Sequence, residues 1–150
     1  MAMQLDLQSK APGFRPYIYR HTVSFGETNT VGGNVYFQNH IAWQGRCREM
    51  FLKHHAPEIL AELAKDFRLV TLRASCEYFE ELFAFDEIEI RMFLLSTQSN
   101  RIGLKFEYLV NRRSTLVQAA LGNQDLASMR STERGLVASP VPTPLANALA

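Results

Sequence analysis

The chain has 150 residues, of which 47% are hydrophobic and 21% are charged, and its formal net charge at pH 7 is +1. These values are typical of one globular domain with a substantial core, and they exclude binding to nucleic acid or anionic membrane through a strong overall charge. The two cysteines are too few for a disulfide framework, and no segment approaches the about 18 apolar residues of a membrane span. We therefore expect a soluble, cytoplasmic protein without a signal peptide.

The first half of the chain predicts a strand, a loop and two helices. Residues 1–14 have mixed composition and are expected to form a flexible N-terminal tail. Residues 17–25 alternate as a half-buried strand does, and the turn-forming residues 26–34 follow as a loop. A long helix is predicted from about Val35 to His55, and a shorter helix begins at Pro57, where proline suits the first turn.

The second half predicts antiparallel strands. Four segments have strand-like patterns: residues 68–80, 86–98, 101–112 and 114–130. The letters SNR between the second and third segments indicate a tight hairpin turn. Residues 131–150 carry three prolines and no clear period, so we expect a flexible C-terminal tail. The structured domain is thus predicted at residues 15–130, as an α+β fold with one long helix across a curved five-stranded antiparallel sheet.

The long helix places an arginine among apolar residues. At about 100° per residue, Arg48 projects with Ile41 and Phe51, and His40 and Gln44 share the same arc. A guanidinium keeps its charge, so burying it is costly unless the protein or a ligand accepts its hydrogen bonds. Two interpretations stay open from the residues alone. Either Arg48 reaches solvent or a protein acceptor, or the polar triplet lines a ligand site.

Several stretches then indicate a family. Residues 25–52, FGETNTVGGNVYFQNHIAWQGRCREMFL, resemble the signature of hotdog-fold thioesterases of the 4-hydroxybenzoyl-CoA thioesterase type. Residues 76–92, CEYFEELFAFDEIEIRM, are similar to the second strand of these enzymes and the approach to the third, and residues 116–129 to their last strand. The resemblance covers residues 17–130. The sequence resembles the thioesterases of enediyne polyketide biosynthesis more closely still, and those enzymes release a polyene chain from its carrier protein.

The resemblance implies an unusual catalytic centre. Many hotdog thioesterases use an aspartate in the first loop, or a glutamate early in the central helix, as nucleophile or general base. Here the loop position is Asn29, and the helix position falls at residues 44–46, which are not acidic. An amide cannot accept the proton or form an anhydride, so the carboxylate-driven mechanisms lose their main group. Enediyne thioesterases are similar in lacking the acid, and their asparagine and helix arginine match Asn29 and Arg48.

From this resemblance we expect a thioester hydrolase whose candidate catalytic residues are Asn29 and Arg48. Asn29 would orient the thioester or the attacking water, and Arg48 would hold an oxygen of the acyl chain or stabilise developing negative charge. Free N–H groups at the helix start, around residues 34–36, would bind the thioester oxygen. The candidate substrate-binding residues lie at the start and on the inner face of the helix: Asn34, Val35, Tyr36, Phe37, His40 and Gln44. The second glycine of VGGNV departs from the family pattern and bears on how Asn34 is paired.

Other residues have weaker functional interpretations. Asn29 without the resemblance is an ordinary turn residue. Glu27 is the carboxylate nearest to it in sequence, and we interpret it as a loop-exposed acid in preference to a base acting through water. Cys47 and Cys76 are interpreted as small buried residues, and an acyl-accepting role for Cys47 is the less favoured alternative. No pair of residues has zinc-ligand spacing and no glycine-rich phosphate loop is present, so we predict no metal and no cofactor.

Three functions are consistent with the sequence. The leading one is hydrolysis of the acyl-carrier-protein thioester of a polyene β-keto acid. The alternatives are a general acyl-CoA thioesterase, for which Arg112 and Arg113 are the main basic residues, and a non-catalytic acyl-binding hotdog protein, which would have lost its acids. The resemblance further implies a homodimer or homotetramer with sites between subunits. The low net charge predicts no nucleic acid or membrane partner.

Overall fold

The computed structural model describes residues 15–150, so the predicted tail at residues 1–14 lies outside the described residues. The chain begins with strand β1, runs through a short 3-10 turn at Phe25–Glu27, and enters the long helix α1 and the shorter helix α2. The bounds of these elements are β1 Tyr17–Thr22, α1 Gln38–His55 and α2 Pro57–Leu63. Pro57 occupies the first turn of α2, as predicted.

The remaining chain is mostly strand. Its elements are β2 Phe67–Tyr78, β3 Glu87–Gln98, β4 Arg101–Arg112, β5 Thr115–Thr132, β6 Gly135–Ala138 and helix α3 Thr143–Leu149. The predicted hairpin turn between β3 and β4 is present: Gln98 pairs with Arg101 across a two-residue turn, in which Ser99 has a φ of 55°.

The strands form one antiparallel sheet in the order β1-β3-β4-β5-β2, and β6 pairs with the end of β5. The register shifts once in each of three strand pairs, for example between Thr71 and Arg73 in β2. Such bulges bend strands and increase their twist, which lets the sheet curve around α1. One long helix held in a curved antiparallel sheet is the hotdog fold. The predicted fold class is confirmed, and β6 is a sixth strand beyond the predicted five.

The core lies between α1 and the concave face of the sheet. From α1, Trp43, Cys47 and Phe51 are buried and pack with sheet residues such as Phe106 and Tyr108. The hydroxyl of Tyr108 donates a 2.6 Å hydrogen bond to the backbone carbonyl of His40. This bond fixes the first turn of α1 against the middle of the sheet.

The start of α1 differs from the prediction. The helix begins at Gln38, three residues after the predicted start at Val35. The backbone before it is committed elsewhere: the N–H of Val35 donates to the carbonyl of Leu82 (2.7 Å), and the N–H of Tyr36 donates to that of Glu27 (3.0 Å). These bonds hold residues 34–36 in an extended, bridging conformation that a helix does not allow.

The prediction of a flexible tail at residues 131–150, with the domain ending at residue 130, is wrong. Strand β5 continues to Thr132, β6 returns along it, and α3 buries Leu145 to 2% exposure. The three apolar residues that face the core, Leu145, Ala148 and Leu149, are three and four positions apart. Two of the three prolines that suggest a tail, Pro142 and Pro144, instead stand at the start of α3, where proline suits a helix. Within residues 15–150 no helix is both long and apolar enough to cross a membrane.

Candidate active site

The loop before α1 holds two asparagines together. The backbone N–H of Asn29 donates to the carbonyl oxygen of Asn34 at 2.7 Å, and Asn29 Nδ2 donates to Asn34 Oδ1 at 3.1 Å. Between them, Gly32 and Gly33 have φ values of 91° and 74°, a conformation that side chains with a Cβ rarely adopt. The second glycine of VGGNV therefore closes the turn, and Asn34 is the partner of Asn29.

The free backbone donors lie slightly later than expected. The N–H groups of Val35 and Tyr36 are already bonded, which corrects the expectation that residues 34–36 supply the donors. The first N–H groups of a helix have no partner within it. In the part of the chain that the structure describes, those of Phe37 and Gln38 donate to no other backbone group. These two N–H groups, next to the positive end of the helix dipole, are the available donors for an oxyanion.

Glu27 is not the loop-exposed acid that the sequence suggested. Its carboxylate accepts hydrogen bonds from Trp43 Nε1 at 2.5 Å, from the Ser24 N–H at 2.8 Å and from the Ser24 hydroxyl at 3.0 Å, and His21 Nε2 lies 2.8 Å away. Burial acts to raise the pKa of Glu27, but these hydrogen bonds outweigh it and leave the pKa below its ordinary value. Such a carboxylate is a poor proton acceptor. Its role is to join β1, the 3-10 turn and α1.

A cavity of about 280 Å³ opens beside the start of α1. It is lined by Asn34, Val35, Phe37, His40, Tyr78, Phe79, Glu80, Glu81 and Leu82. Four of the predicted substrate-binding residues are in this set. Tyr36 is not, and its side chain is exposed beside the ring of Phe37 at a centroid distance of 4.8 Å.

His40 is the buried polar group of this cavity. Its ring is 3% exposed and packs edge-on against Tyr78, at a centroid distance of 4.7 Å. Neither ring nitrogen has a hydrogen-bond partner among residues 15–150. Burial lowers the pKa of His40 to about 4. The Phe37 backbone, which lies close to the ring without meeting hydrogen-bond geometry, raises the pKa and so opposes this shift only in part. At neutral pH the ring is therefore neutral, with one N–H donor and one nitrogen acceptor.

Glu80 is a second polar residue of the cavity, which the sequence analysis did not single out. Its oxygen Oε2 is buried and accepts no hydrogen bond from a described residue. No sequence signal distinguishes Glu80, because Glu80 and Glu81 stand together after β2 and resemble ordinary surface acids. The folded structure distinguishes the two residues, because Glu81 is exposed and Glu80 is partly buried.

Arg48 lies further along α1 and is held by the sheet. Its Nη1 donates to Gln124 Oε1 on β5 at 2.9 Å and to Thr71 Oγ1 on β2 at 3.1 Å. Burial lowers the pKa of Arg48, while nearby Glu49 acts in the opposite direction. The first interpretation from the sequence, in which a protein group accepts hydrogen bonds from Arg48, is thus correct in part. Nη2 and Nε form no hydrogen bond with residues 15–150, so part of the guanidinium is free for a ligand.

Gln44 is hydrogen-bonded to Gln124, the same side chain that binds Arg48, and it does not line the cavity. Its Nε2 donates to the carbonyl of Ser75 at 3.0 Å, and its Oε1 accepts from Gln124 Nε2 at 3.2 Å. The side chain is fully buried. Gln44, predicted to bind substrate, instead supports Gln124 and through it Arg48.

The surroundings of Arg48 are mainly apolar. A groove of about 520 Å³ runs between α1, α2 and β2, with polar residues Arg46, Glu49 and Lys53 at one side. Its apolar lining is Met50, Leu52, Leu60, Leu63 and Leu69. Behind Arg48, leucines from the sheet and from α3 fill the interior almost completely. The guanidinium therefore lies at the boundary between an open groove and the core.

The two predicted catalytic residues are not neighbours within one chain. Asn29 pairs with Asn34, just before α1, whereas Arg48 is ten residues after Gln38 on that helix. Ten helical residues span about 15 Å along the axis, at about 1.5 Å each. One chain therefore presents two separate parts, a donor-rich loop and cavity at the helix start and a cation further along the helix. In the described part of the chain, no group of three His, Cys, Asp or Glu side chains is placed to hold a metal ion.

A curved sheet around one helix, with a cavity and free N–H groups at the helix start, defines the class of hotdog thioesterases. The match to a family model agrees: residues 23–149 match the thioesterase-like superfamily, and the chain belongs to it.

Particular relatives are similar over most of the chain. The dynemicin thioesterase, whose crystal structures concern polyene binding, is 42% identical with a TM-score of 0.86, over 89% of this chain and 94% of that one. A 4-hydroxybenzoyl-CoA thioesterase in complex with its substrate is 13% identical with a TM-score of 0.80, over 91% of this chain and 99% of that one, which supports the fold alone. A protein of Aquifex aeolicus (strain VF5) named "Putative esterase" is 30% identical over 70% of this chain and 80% of its own length.

Proposed function

We propose that the protein hydrolyses the thioester that joins a polyene β-keto acyl chain to an acyl carrier protein in enediyne biosynthesis. The observation that carries the proposal is the similarity to the dynemicin thioesterase over most of both chains. That protein binds a polyene, as its structures describe. The presence here of an asparagine and an arginine in the positions that the enediyne resemblance singled out supports the same substrate class.

The helix start is suited to polarise a thioester. The N–H groups of Phe37 and Gln38 can donate to the carbonyl oxygen as it becomes negative, and each such donor contributes about 3–4 kcal/mol to the transition state. Asn29, whose Nδ2 is bonded to Asn34, has its carbonyl oxygen left to orient the attacking water. Holding water and thioester in register lowers the barrier by about 7–11 kcal/mol.

Arg48 would act on this centre from a second subunit. Within one chain it is separated from the helix start by about 15 Å, so it cannot contact the same carbonyl as Asn29. β2 is an edge strand of the sheet, and the residues in the middle of this strand are exposed. An unprotected edge strand favours pairing with another copy of the chain. We infer a homodimer or homotetramer in which Arg48 of one protomer serves the loop of its partner.

A substrate panel tests the proposed function. The wild-type protein is incubated with a polyene β-ketoacyl carrier protein and with a set of acyl-CoA thioesters, and thiol release is measured for each. Release from the carrier protein, with kcat/KM at least about tenfold above that for CoA esters, is expected. Preference for CoA esters would replace the proposal by a general acyl-CoA thioesterase, and binding without release would replace it by an acyl-binding protein.

Variants of the two candidate residues test the site. Asn29→Ala and Arg48→Ala are each expected to lower kcat/KM by about 10–100-fold while remaining folded. Arg46→Ala is the matched control, because Arg46 is an exposed arginine on the same helix, and among residues 15–150 its side chain pairs with Glu49 alone. Turnover at the wild-type level in either variant removes that residue from the mechanism.

Mixing the two inactive variants tests which subunit supplies Arg48. If the site combines two chains, an Asn29→Ala/Arg48→Ala heterodimer keeps one intact site. A statistical mixture, in which half of the dimers are mixed, then regains about a quarter of wild-type activity. If both residues act within one chain, no site in the mixture is intact and no activity returns.

A further inference from the structure

The catalytic carboxylate of the family resemblance is missing at Asn29 and in α1, yet the cavity at the helix start contains another. We propose that Glu80, which lines this cavity together with neutral His40, is the general base that activates the hydrolytic water. The inference rests on the proposed thioester hydrolysis and adds a residue to it.

The first observation concerns unused hydrogen-bonding groups. Within residues 15–150, three buried side-chain atoms have no hydrogen-bond partner: Nδ1 and Nε2 of His40 and Oε2 of Glu80. Folded proteins rarely leave such groups unpaired, because each costs about 1–3 kcal/mol. All three atoms belong to residues that line the same cavity. Unused polar atoms on two residues of one cavity indicate a place built for a polar guest.

The second observation concerns position. The cavity is also lined by Phe37, whose backbone N–H is one of the free donors, and by Asn34, the partner of Asn29. A carbonyl held by these donors therefore lies at the wall of the space that Glu80 and His40 border. Phe37 and Phe79 line the cavity and are partly exposed, so an acyl chain or its carrier arm can enter beside them.

Other nearby acids are unsuited to the role. Glu27 has its carboxylate occupied by Trp43, Ser24 and His21, and its pKa is lowered. Glu81 is exposed to solvent. Glu80 is the acid of this region that combines burial with an unbonded oxygen.

The proposed chemistry conserves all atoms. The Glu80 carboxylate accepts a proton from water as the water oxygen bonds to the thioester carbon and the carbonyl electron pair moves to oxygen. The N–H groups of Phe37 and Gln38 hold that oxyanion. Its collapse reforms the carbonyl and breaks the carbon–sulfur bond, and the proton on Glu80 passes to the departing sulfur. Neutral His40 positions the water through one donor and one acceptor, and the products are a carboxylic acid and a thiol.

The test uses the polyene carrier-protein thioester and compares two carboxylates, one inside the cavity and one outside it. Glu80→Gln is nearly isosteric but cannot accept the proton, so kcat is expected to fall by at least about 100-fold with KM little changed. Glu133→Gln is the control, because Glu133 is exposed in the turn between β5 and β6, and it keeps wild-type kcat. Added formate should restore part of the activity of Glu80→Ala, because it can replace a missing carboxylate but not a missing structural contact. Among His40 variants, His40→Gln, which keeps a donor and an acceptor, should retain more activity than His40→Leu.

The outcomes separate two failures. A wild-type protein that hydrolyses no thioester overturns both the proposed function and the role of Glu80. An active wild type, together with a Glu80→Gln variant that turns over as fast as Glu133→Gln, overturns the role of Glu80 alone. If Glu80→Gln unfolds at a lower temperature than wild type, formate rescue of Glu80→Ala decides: rescue supports the general base, and its absence contradicts it.

Discussion

The substitution Gly122→Ala tests how firmly the hydrogen-bonded side chains of Gln44 and Gln124, which support Arg48, are held in place. Gly122 lies on β5 under Gln44, and a Cβ added there would stand 2.0 Å from Gln44 Nε2 and 3.1 Å from the carbonyl oxygen of Ser75. Gln44 is fully buried, so its amide cannot turn out to solvent. Alanine at position 122 must therefore displace the Gln44 amide from its hydrogen bonds.

The cost follows from the bonds that are lost. Gln44 binds the carbonyl of Ser75 through Nε2 and the amide of Gln124 through Oε1. Each buried group left without a partner costs about 1–3 kcal/mol, so the free energy of unfolding should fall by about 2–5 kcal/mol. In a domain of this size that corresponds to a Tm lower by about 6–15 °C. Because Gln124 also holds Arg48, catalytic turnover should fall with it.

Equilibrium unfolding in urea measures the change, with Gly103→Ala as the matched control. A Cβ at Gly103 would meet Ser96 Oγ at 2.7 Å, but that side chain is exposed and can rotate away. We expect Gly103→Ala to change stability by less than about 0.5 kcal/mol. In Gly122→Ala/Gln44→Ala the clash is absent, so the double variant should lose less than the sum of the single variants. A Gly122→Ala protein as stable as wild type would refute the reasoning.

Three other outcomes can be measured. The pKa of His40 in the folded state, about 4, is below its ordinary value of 6.5, so unfolding takes up a proton as the pH falls from 6.5 to 4. The free energy of unfolding should therefore drop by about 3 kcal/mol over this range, and His40→Gln, followed by urea titration at each pH, should lack that drop. Leu145→Ala should destabilise the fold by about 2–5 kcal/mol and exposed Asn147→Ala by little, and equal Tm values would contradict the burial of α3. Glu27→Gln should be less stable than wild type at pH 7, because the lowered pKa of Glu27 stabilises the fold at any pH above the ordinary value of 4.5. This difference in stability should disappear as the pH falls through the folded-state pKa. A difference independent of pH would show that charge is not what holds Glu27.

The strands could be predicted because their signals are local. β3 alternates between buried and exposed residues at its start, and a two-residue turn at Ser99 leads directly into β4. Such a pattern needs no knowledge of distant residues. The position of α1 inside the curved sheet followed in turn from the order of the elements.

The errors came from contacts between distant parts of the chain. The predicted helix began too early because Val35 bonds to Leu82, whose position no local pattern reveals. Glu27 was interpreted as exposed because Trp43, which binds its carboxylate, lies on another element. α3 is hard to predict because a seven-residue helix with a proline in its first turn has a weak pattern and is stabilised mainly by packing.

The candidate site was predicted only in part. The helical wheel correctly placed Arg48 on the inner face, but its acceptors Gln124 and Thr71 come from β5 and β2, and pairing across a sheet cannot be read from a wheel. For the same reason, Gln44 was assigned to substrate although it binds the sheet. Glu80 has no distinctive sequence context, and what distinguishes it is a buried, unbonded Oε2 in the cavity that His40 also lines.

The chain has one tryptophan, Trp43, and the fold places it next to the candidate site. Its indole packs on His40 at a centroid distance of 5.1 Å and is almost completely buried. Conjugated polyenes absorb light in the near ultraviolet, where indole emits, so a bound polyene can receive the excitation energy of this ring. Entry of the chain can thus be followed in real time by quenching of intrinsic fluorescence, without any label and independently of turnover.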